Sequence, residues 1–514
     1  MARRFTSIVV SSACACAGFG LAAAVPSAAG TPPAKHATAR GYGGAVVSDT
    51  VPSTRAGIAV LRHGGTAADA AVAVAATLGV TDPYVAGIGG GGYFLYYDAA
   101  RHRVFTIDGR ETAPAADGPG MFLDQGGQPL PFPTAVTSGL SVGVPGTLAT
   151  WQRALERWGR FGLERDLRPA IRVADRGFVV DATFRELTRE NQARFAQFSS
   201  TRDLFLPDGD LPEVGSVFRN EDLADTYRQI GAHGAAALYG GTIGRAVVHA
   251  VRHLPLAPDA TLAPITGPMT IDDLRSYRTV DRAPTHVPYR GLDVYGMRPS
   301  SSGGITVGES LNILEQFNLR AMDPVQQLHH YLEATRLAFA DRNRYIGDPA
   351  FVSVPRRTLL SDPFAAQRAC LIDPDHALPS PVAPGDLQGS GQCTSATADT
   401  TAGNEGAHTN HFVVSDRWGN VVSYTNTIEQ LGGSGIVVPG RGFLLNNELT
   451  DFNFAPTQGT APDPNLPAAG KRPRSSMSPT IVLRHGRPFL AVGSPGGASI
   501  ITTVVQILIN RIDL

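Results

Sequence analysis

The amino-acid composition of this sequence changes sharply shortly before Thr409, and this change limits the folds that the chain can adopt. Residues 370–406 are rich in Pro, Gly, Ser, Thr and Asp and poor in large apolar residues, a composition typical of a surface loop. Strand-like sequence then resumes at Thr409, and the runs 412–415 and 421–427 flank a turn at residues 416–420. Two such runs around a short turn predict a β-hairpin. The fold must therefore carry a polar loop straight into the first strand of a sheet.

Thr409 stands where this loop meets the hairpin, and its position suggests a specific chemistry. A hydroxyl nucleophile needs a base, and a threonine at the N-terminus of a chain can use its own amine for that purpose. A cut between His408 and Thr409 would produce such a terminus. A threonine before a strand is also common as a plain β-branched residue, so the remainder of the sequence has to decide between the two interpretations.

Periodicities elsewhere predict a mixture of helices and strands. Residues 53–78 should form two Ala-rich helices separated by residues 63–65, and residues 326–345 should form a third helix. The expected apolar side of the third helix consists of Leu328, Tyr331, Leu332, Leu337 and Phe339. The sequence also predicts a second hairpin and a helix that follows it, at residues 481–483, 489–492 and 498–509.

The N-terminus has the composition of a secretory signal peptide. Arg3 and Arg4 precede a mostly apolar stretch over residues 8–25, and Ser27 and Ala29 have the spacing that signal peptidases require. We expect residues 1–29 to be removed and the protein to be secreted or extracytoplasmic. A transmembrane anchor is the alternative, but serines interrupt the stretch and it is short for a bilayer span of about 20 apolar residues.

Charge and cysteine content narrow the classes of partner. Lys and Arg number 44 against 45 for Asp and Glu, so no broad basic field exists to attract nucleic acid or an anionic membrane surface. We therefore expect a small-molecule partner, no nucleic acid and no stable membrane anchor. Cys370 and Cys393 are the cysteines left once the signal peptide is removed, and they either pair in an oxidising compartment or remain two buried thiols.

Short blocks along the whole chain match the pattern of one family. Residues 409–412, with Asp416 and the pair Gly419-Asn420, resemble the autoprocessing segment of gamma-glutamyltranspeptidases. Further blocks resemble segments of the same family in the same order, at residues 87–92, 108–114, 141–146, 301–304, 340–342, 445–448, 451–452, 475–479 and 493–497. Because these blocks are colinear from Gly43 to the last residue, the resemblance outweighs each weak individual motif.

The resemblance implies an α+β fold, a four-layer αββα sandwich of the N-terminal nucleophile (Ntn) hydrolases, formed by two chains cleaved from one precursor. The implied divisions are a signal peptide at 1–29, a large chain at 30–408 and a small chain at 409–514. The two cleaved chains would remain associated. Since members of the family continue beyond the position of Leu514, the small chain is expected to be C-terminally incomplete.

Four residues match the catalytic positions of the family. Thr409 would carry the acyl group, and Thr427 matches a second threonine that hydrogen-bonds the first. Gly496 and Gly497 match the oxyanion-hole pair, and main-chain donors near a helix start do suit a developing negative charge. The ordinary alternatives are a strand residue for Thr427 and a tight turn for the glycines.

Six residues match positions that bind the two charged ends of a gamma-glutamyl group. Those that correspond to the α-carboxylate clamp are Arg110, Ser475 and Ser476, and those that correspond to the ammonium pocket are Glu429, Glu448 and Asp451. The guanidinium fork of Arg110 suits a carboxylate, although a surface salt bridge is its ordinary alternative. Glu429 departs from the family, whose well-known members have Asn there. It should add a third negative charge, which favours a cationic amine and disfavours glutaryl groups.

The implied activity is cleavage of gamma-glutamyl amides, such as glutathione-like donors, with transfer of the acyl group to water or an amine and no cofactor. The alternatives are a glutaryl or cephalosporin acylase of the same fold and a truncated, inactive binding relative. The segment between Asp451 and Ser475 is shorter than in members with a lid and has no aromatic residue after Phe454. We therefore expect an open site that favours hydrolysis.

Three competing motifs are weaker. Residues 139–143 satisfy the G-x-S-x-G pattern of serine hydrolases, but Pro145 and Gly146 follow too soon for a helix directly after the nucleophile. The glycine run at 87–92 lacks the G-K-[ST] ending of a phosphate-binding loop. Neither H-E-x-x-H nor a paired C-x-x-C occurs, so we expect no metal site.

Overall fold

The computed structural model describes residues 38–263, 265–388, 393, 406 and 408–514, so the expected signal peptide lies outside the described residues. The strands are β1 (Gly44–Val47), β2 (Gly91–Asp98), β3 (Arg103–Gly109), β4 (Phe178–Val179), β5 (Val217–Phe218), β6 (Val280–Arg282), β7 (Thr285–Tyr289), β8 (Leu292–Gly296), β9 (Asn410–Asp416), β10 (Val421–Thr427), β11 (Thr480–Arg484) and β12 (Arg487–Val492). The helices are α1 (Val51–Arg62), α2 (Ala67–Thr81), α3 (Phe132–Val136), α4 (Thr147–Trp158), α5 (Leu163–Asp166), α6 (Arg168–Arg176), α7 (Ala182–Phe195), α8 (Ser199–Phe205), α9 (Glu221–His233), α10 (Thr242–Arg252), α11 (Ile271–Ser276), α12 (Gly303–Glu315), α13 (Pro324–Tyr345), α14 (Arg356–Leu359), α15 (Asp362–Ala369) and α16 (Ser499–Ile512).

Two antiparallel sheets form the centre of the molecule. The first has six strands in the order β1-β9-β10-β2-β3-β6, and the second has four in the order β12-β11-β8-β7. The strands β4 and β5 pair separately. Both hairpins expected from the sequence are present, and the one that follows the polar loop occupies the interior of the first sheet.

Alternating side chains pack the two sheets into four layers. On β2, Phe94 and Tyr96 join the apolar cluster built with α1, α2 and α4, whereas Tyr93, Leu95 and Tyr97 join the cluster that contains the second sheet. Residues of α12, α13 and α16 complete this second cluster. Since successive strand residues face opposite sides, one sheet serves both clusters. The αββα architecture implied by the resemblance is confirmed.

Polar contacts fix the hairpin against the first helical layer. In the turn, the Asp416 carboxylate accepts from the amides of Trp418 at 2.9 Å and Asn420 at 3.1 Å, and Gly419 has φ +87°, which favours glycine. The other Asp416 oxygen accepts from the Ala67 amide at 2.9 Å, at the start of α2. These contacts therefore fix the position of the hairpin relative to the buried helix α2.

Two sequence expectations are refined by packing. The third helix is present as α13, but Leu328 and Leu332 are 49% and 47% exposed, so the predicted apolar side was drawn too wide. Tyr331 and Leu337 are buried, because only their stripe of the helix faces the core.

Cys370 and Cys393 form a disulfide with their Cα atoms 5.8 Å apart. Within the described ranges, no helix is both long and apolar enough to cross a membrane.

Candidate active site

The predicted site residues, with the exception of Gly496, line one small cavity at the start of β9. Its lining consists of Arg110, Gly406, His408, Thr409, Thr427, Glu429, Glu448, Asp451, Ser475, Ser476, Met477, Gly497 and Ile500. The free volume is about 20 Å³, which is room for about one water molecule. Residues far apart in sequence thus meet at one cavity, and Gly406 and His408, which precede Thr409, form part of its wall.

Two threonine hydroxyls are directed at the same peptide carbonyl. Thr409 directly precedes β9, and its Oγ1 donates to the carbonyl oxygen of His408 at 2.6 Å. Thr427, at the end of β10, donates to the same oxygen at 3.2 Å. The register that pairs Asn410 with Asn426 places the two threonines opposite each other. The oxygen that receives both bonds belongs to the peptide bond where we expect cleavage.

Arg110 is bonded directly to two of the predicted ammonium-binding acids. It follows β3, is fully buried, and pairs through one terminal nitrogen with Glu448 and through the other with Asp451. Its Nε donates to the Pro473 carbonyl at 3.2 Å. A single 3₁₀ turn, Glu448–Asp451, presents both acids to the guanidinium. No space for a substrate separates the cation from the acids in this uncut chain.

Glu429 is buried, and burial works against the third negative charge that the sequence analysis expects at this site. Burial raises its pKa well above the usual range, and the neighbouring Asp451 raises it further. Its Oε2 accepts from the side-chain amide of Asn447, and its amide donates to Thr427 Oγ1 at 2.9 Å. A Cβ atom at Gly406 would overlap the other oxygen, so a larger residue there would require this carboxyl to shift.

Ser475 and Ser476 are held by residues that the sequence analysis did not assign to the site. The carbonyl of Ser475 accepts from the amide and the hydroxyl of Ser302, each at 2.7 Å. The hydroxyl of Ser476 accepts from the buried Arg342 at 2.8 Å. Arg342 lies in one of the blocks that resemble the family, and so does Asn447 beneath Glu429. Polar residues inside those blocks were the signal that could have identified both.

Gly496 and Gly497 precede α16 with φ values of +123° and +56°. Only Gly497 reaches the cavity lining, and Gly496 is its neighbour in the turn. Neither amide donates to another described residue, whereas the carbonyl of Gly496 accepts from Ser499 N at 3.1 Å. Free main-chain donors at a helix start are able to stabilise an oxyanion.

The competing serine motif is structural. Ser141 is fully buried, and its hydroxyl donates to the carbonyls of Val136 at 3.0 Å and Ser138 at 3.1 Å. The residues around it do not form the strand–turn–helix of a serine hydrolase, since α4 begins only at Thr147. Among the described residues, no group of three or more His, Cys, Asp and Glu side chains could hold a metal ion.

An αββα sandwich with a threonine at the head of a central strand and a second hydroxyl beside it defines the class of Ntn hydrolases. Comparison with known proteins gives the family. The family described as Gamma-glutamyltranspeptidase matches residues 53–514, and the chain belongs to it. A glutathione hydrolase proenzyme of Bacillus subtilis (strain 168) is 39% identical over 478 residues, covering 92% of this chain and 78% of that protein.

Solved structures of the class are similar over most of the chain. A cephalosporin acylase from Bacillus halodurans has a TM-score of 0.77 and 26% identity, with 94% of this chain and 82% of that one covered. A gamma-glutamyltranspeptidase from Helicobacter pylori has a TM-score of 0.62 and 33% identity, with 69% and 97% covered.

Proposed function

We propose that this protein is an autoprocessing N-terminal-threonine amidohydrolase that cleaves gamma-glutamyl amides and passes the acyl group to water or an amine. The observation that carries the proposal is the pair of hydroxyls, from Thr409 and Thr427, that bond the carbonyl oxygen of His408 at 2.6 Å and 3.2 Å. This geometry serves self-cleavage first and catalysis afterwards. The name of the Bacillus subtilis relative, a glutathione hydrolase proenzyme, supports both parts.

Self-cleavage uses the hydroxyl of Thr409 against the bond that precedes it. The Thr409 oxygen attacks the carbonyl carbon of His408, while the Thr427 hydroxyl stabilises the negative charge that develops on the carbonyl oxygen. The carbon–nitrogen bond breaks, and the nitrogen of Thr409 takes the hydroxyl proton and becomes an amine. Water then hydrolyses the ester, which leaves a carboxylate on His408 and a free hydroxyl on Thr409. The products are the large chain 30–408 and the small chain 409–514.

Cleavage also opens the substrate site. Gly406 and His408 line the cavity, and Gly406 lies directly over the Glu429 carboxyl. Once the bond to Thr409 is cut, these residues are no longer tethered there and can leave the cavity. A donor can then separate Arg110 from Glu448 and Asp451, with its α-carboxylate replacing the acids on the guanidinium and its ammonium replacing the guanidinium on the acids.

In the catalytic cycle, the new amine of Thr409 takes the proton of its own hydroxyl. The oxygen attacks the amide carbon of the donor, and the amides of Gly496 and Gly497 stabilise the oxyanion. The leaving amine takes the proton, and an acyl-enzyme ester remains on Thr409. Water or an acceptor amine attacks this ester and regenerates the threonine. Arg110, with Ser475 and Ser476, fixes the α-carboxylate, while Glu429, Glu448 and Asp451 receive the ammonium.

An acylase acting on glutaryl amides is the second candidate, because a cephalosporin acylase has the same fold. Kinetics on gamma-glutamyl and glutaryl p-nitroanilides, with Thr409→Ala as the inactive control, decide between the two. The proposal expects the gamma-glutamyl donor to have the higher kcat/KM, because only this donor has the ammonium that the acidic pocket binds. A preference for the glutaryl donor would replace the proposal with the acylase. Absence of turnover on both would leave a binding protein.

A further inference from the structure

A large groove lies on the helical side of the first sheet, away from the candidate active site. Its volume is about 850 Å³, within the range of small-molecule sites, and its walls come from α1, α6, β4 and α7. Its apolar lining includes Val51, Val173, Phe178, Phe184 and Leu187. The groove shares no residue with the cavity around Thr409.

The groove and the candidate active site lie on opposite faces of the same strand. At the groove edge, Asp49 accepts a hydrogen bond from Asn410, whose side chain is buried on the same face of β9 as Phe412. The next residue, His411, points the other way and bonds Thr425 at 2.8 Å. A molecule in the groove would therefore not compete with a donor at Thr409.

Three arginines in the groove are available for a ligand. Arg55 lies on α1, and Arg172 and Arg176 lie one turn apart on α6; all three are exposed. None of them makes a hydrogen bond or ion pair with another described residue. Arg168 on the same helix differs, because it pairs with Glu164 at 2.8 Å. Like charges one helical turn apart repel each other, so an anion bound between Arg172 and Arg176 would reduce the repulsion between them.

The acids in the groove are already engaged. Asp181 caps α7 by accepting from the amide of Phe184 at 2.8 Å, and Asp49 accepts from Asn410. Asp82 ends α2 as its C-cap residue and has an interaction of its own. The groove thus combines three arginines and three aspartates with an aromatic and aliphatic wall. Of these charged side chains, the arginines are the ones that make no hydrogen bond or ion pair with another described residue.

We propose that this groove binds an amphipathic organic anion. The apolar body of the ligand packs on Phe178, Phe184 and Leu187, and its negative group is bound by the guanidinium groups, which form paired hydrogen bonds with carboxylate, phosphate or sulfonate oxygens. The absence of partners for the three arginines among the described residues favours a ligand with a negative group, since a neutral apolar molecule would leave them unused. The inference does not depend on the proposed function, because it involves other residues.

The test compares two fluorescent probes with the same aromatic body. 8-Anilinonaphthalene-1-sulfonate has a negative group, and N-phenyl-1-naphthylamine does not. We expect the triple variant Arg55→Gln, Arg172→Gln, Arg176→Gln to bind the sulfonate at least about tenfold more weakly than the wild type, with unchanged affinity for the neutral probe. The control Arg62→Gln changes another exposed arginine of α1 that is outside the groove, and it should bind both probes as the wild type does.

Displacement experiments separate the classes of ligand. Sodium decanoate should displace the sulfonate from the wild type, whereas sodium sulfate at the same concentration should not. Wild-type affinity for the sulfonate in the triple variant, with an unchanged far-UV spectrum and Tm, overturns the proposal. Displacement by sulfate alone also overturns it, in favour of a simple anion site, and equal loss of both probes in the variant would indicate altered folding of the groove and contradict the assigned role of charge.

Discussion

Replacement of Arg110 by Ala tests how the site recognises its donor. The guanidinium is fully buried and pairs with Glu448 and Asp451, so its loss removes the α-carboxylate partner and leaves two buried acids without their cation. Truncation of one partner of a buried, hydrogen-bonded charge pair costs about 2 to 5 kcal/mol. At about 1.36 kcal/mol per factor of ten, kcat/KM should fall by about 30-fold to several thousand-fold.

The assay must distinguish an effect on donor recognition from an effect on protein stability, because we expect Arg110 to contribute to both. Processed enzyme is given gamma-glutamyl p-nitroanilide and 4-aminobutanoyl p-nitroanilide, which lacks only the α-carboxylate. The wild type should prefer the gamma-glutamyl donor strongly, and Arg110→Ala should lose most of that preference. Arg110→Lys keeps a charge but not the planar fork, so it should lie between the two.

Arg368→Ala serves as a matched control, because Arg368 is also buried and pairs with Asp341 at 2.9 Å away from the cavity. It should lower the Tm without changing the ratio of the two donors. A folded, processed Arg110→Ala that loses less than about tenfold in kcat/KM, or that keeps the wild-type ratio between the two donors, would contradict this role for Arg110.

Three further predictions concern charge and access. The ammonium of a bound donor favours the ionised form of Glu429, whereas Gln keeps an acceptor but cannot ionise. Glu429→Gln should therefore narrow the gap in kcat/KM between gamma-glutamyl and glutaryl anilides, and an unchanged ratio would remove Glu429 from the ammonium pocket. The short segment between Asp451 and Ser475 should leave the acyl-enzyme open to water, so chromatography of products formed with a dipeptide acceptor should show mainly hydrolysis, and dominant transfer at low acceptor concentration would oppose this. Burial, together with the charge of Asp69, raises the pKa of Asp166 from 3.8 to about 9. The folded state therefore keeps a proton that the unfolded state loses, so stability should fall as pH rises between about 4 and 9. Urea unfolding at pH 5 and pH 8 should show a smaller loss for Asp166→Asn than for the wild type, and equal losses would contradict the assignment.

The sequence predicted the elements around the site better than the contacts within it. The break at 370–406 and the alternation after Thr409 are local signals, and both were sufficient to place the hairpin that follows Thr409. The colinear blocks identified the residues that converge on the cavity. These signals come from residues that are close together in the sequence, so they can be recognised from one sequence alone.

What the sequence could not supply depends on partners distant in the chain. Helical periodicity alone could not show that Leu328 and Leu332 remain exposed, because the width of the buried stripe is set by the helices packed against α13. The raised pKa of Glu429 follows from burial beside Asp451, and the closed pair between Arg110 and the acids follows from the 3₁₀ turn at Glu448–Asp451. Charge counting along the sequence includes neither burial nor geometry.

We propose that Thr409 itself cuts the bond between His408 and Thr409. Intact mass and N-terminal sequencing of the purified protein test it most directly, with Thr409→Ala and Thr409→Ser prepared in parallel. The wild type should yield two associated chains, the smaller beginning Thr-Asn-His-Phe, and Thr409→Ser should retain part of both cleavage and amidase activity. Thr409→Ala should remain one inactive polypeptide. A wild type that stays whole, or a Thr409→Ala variant that is still cut at this bond and turns over substrate, would contradict the account.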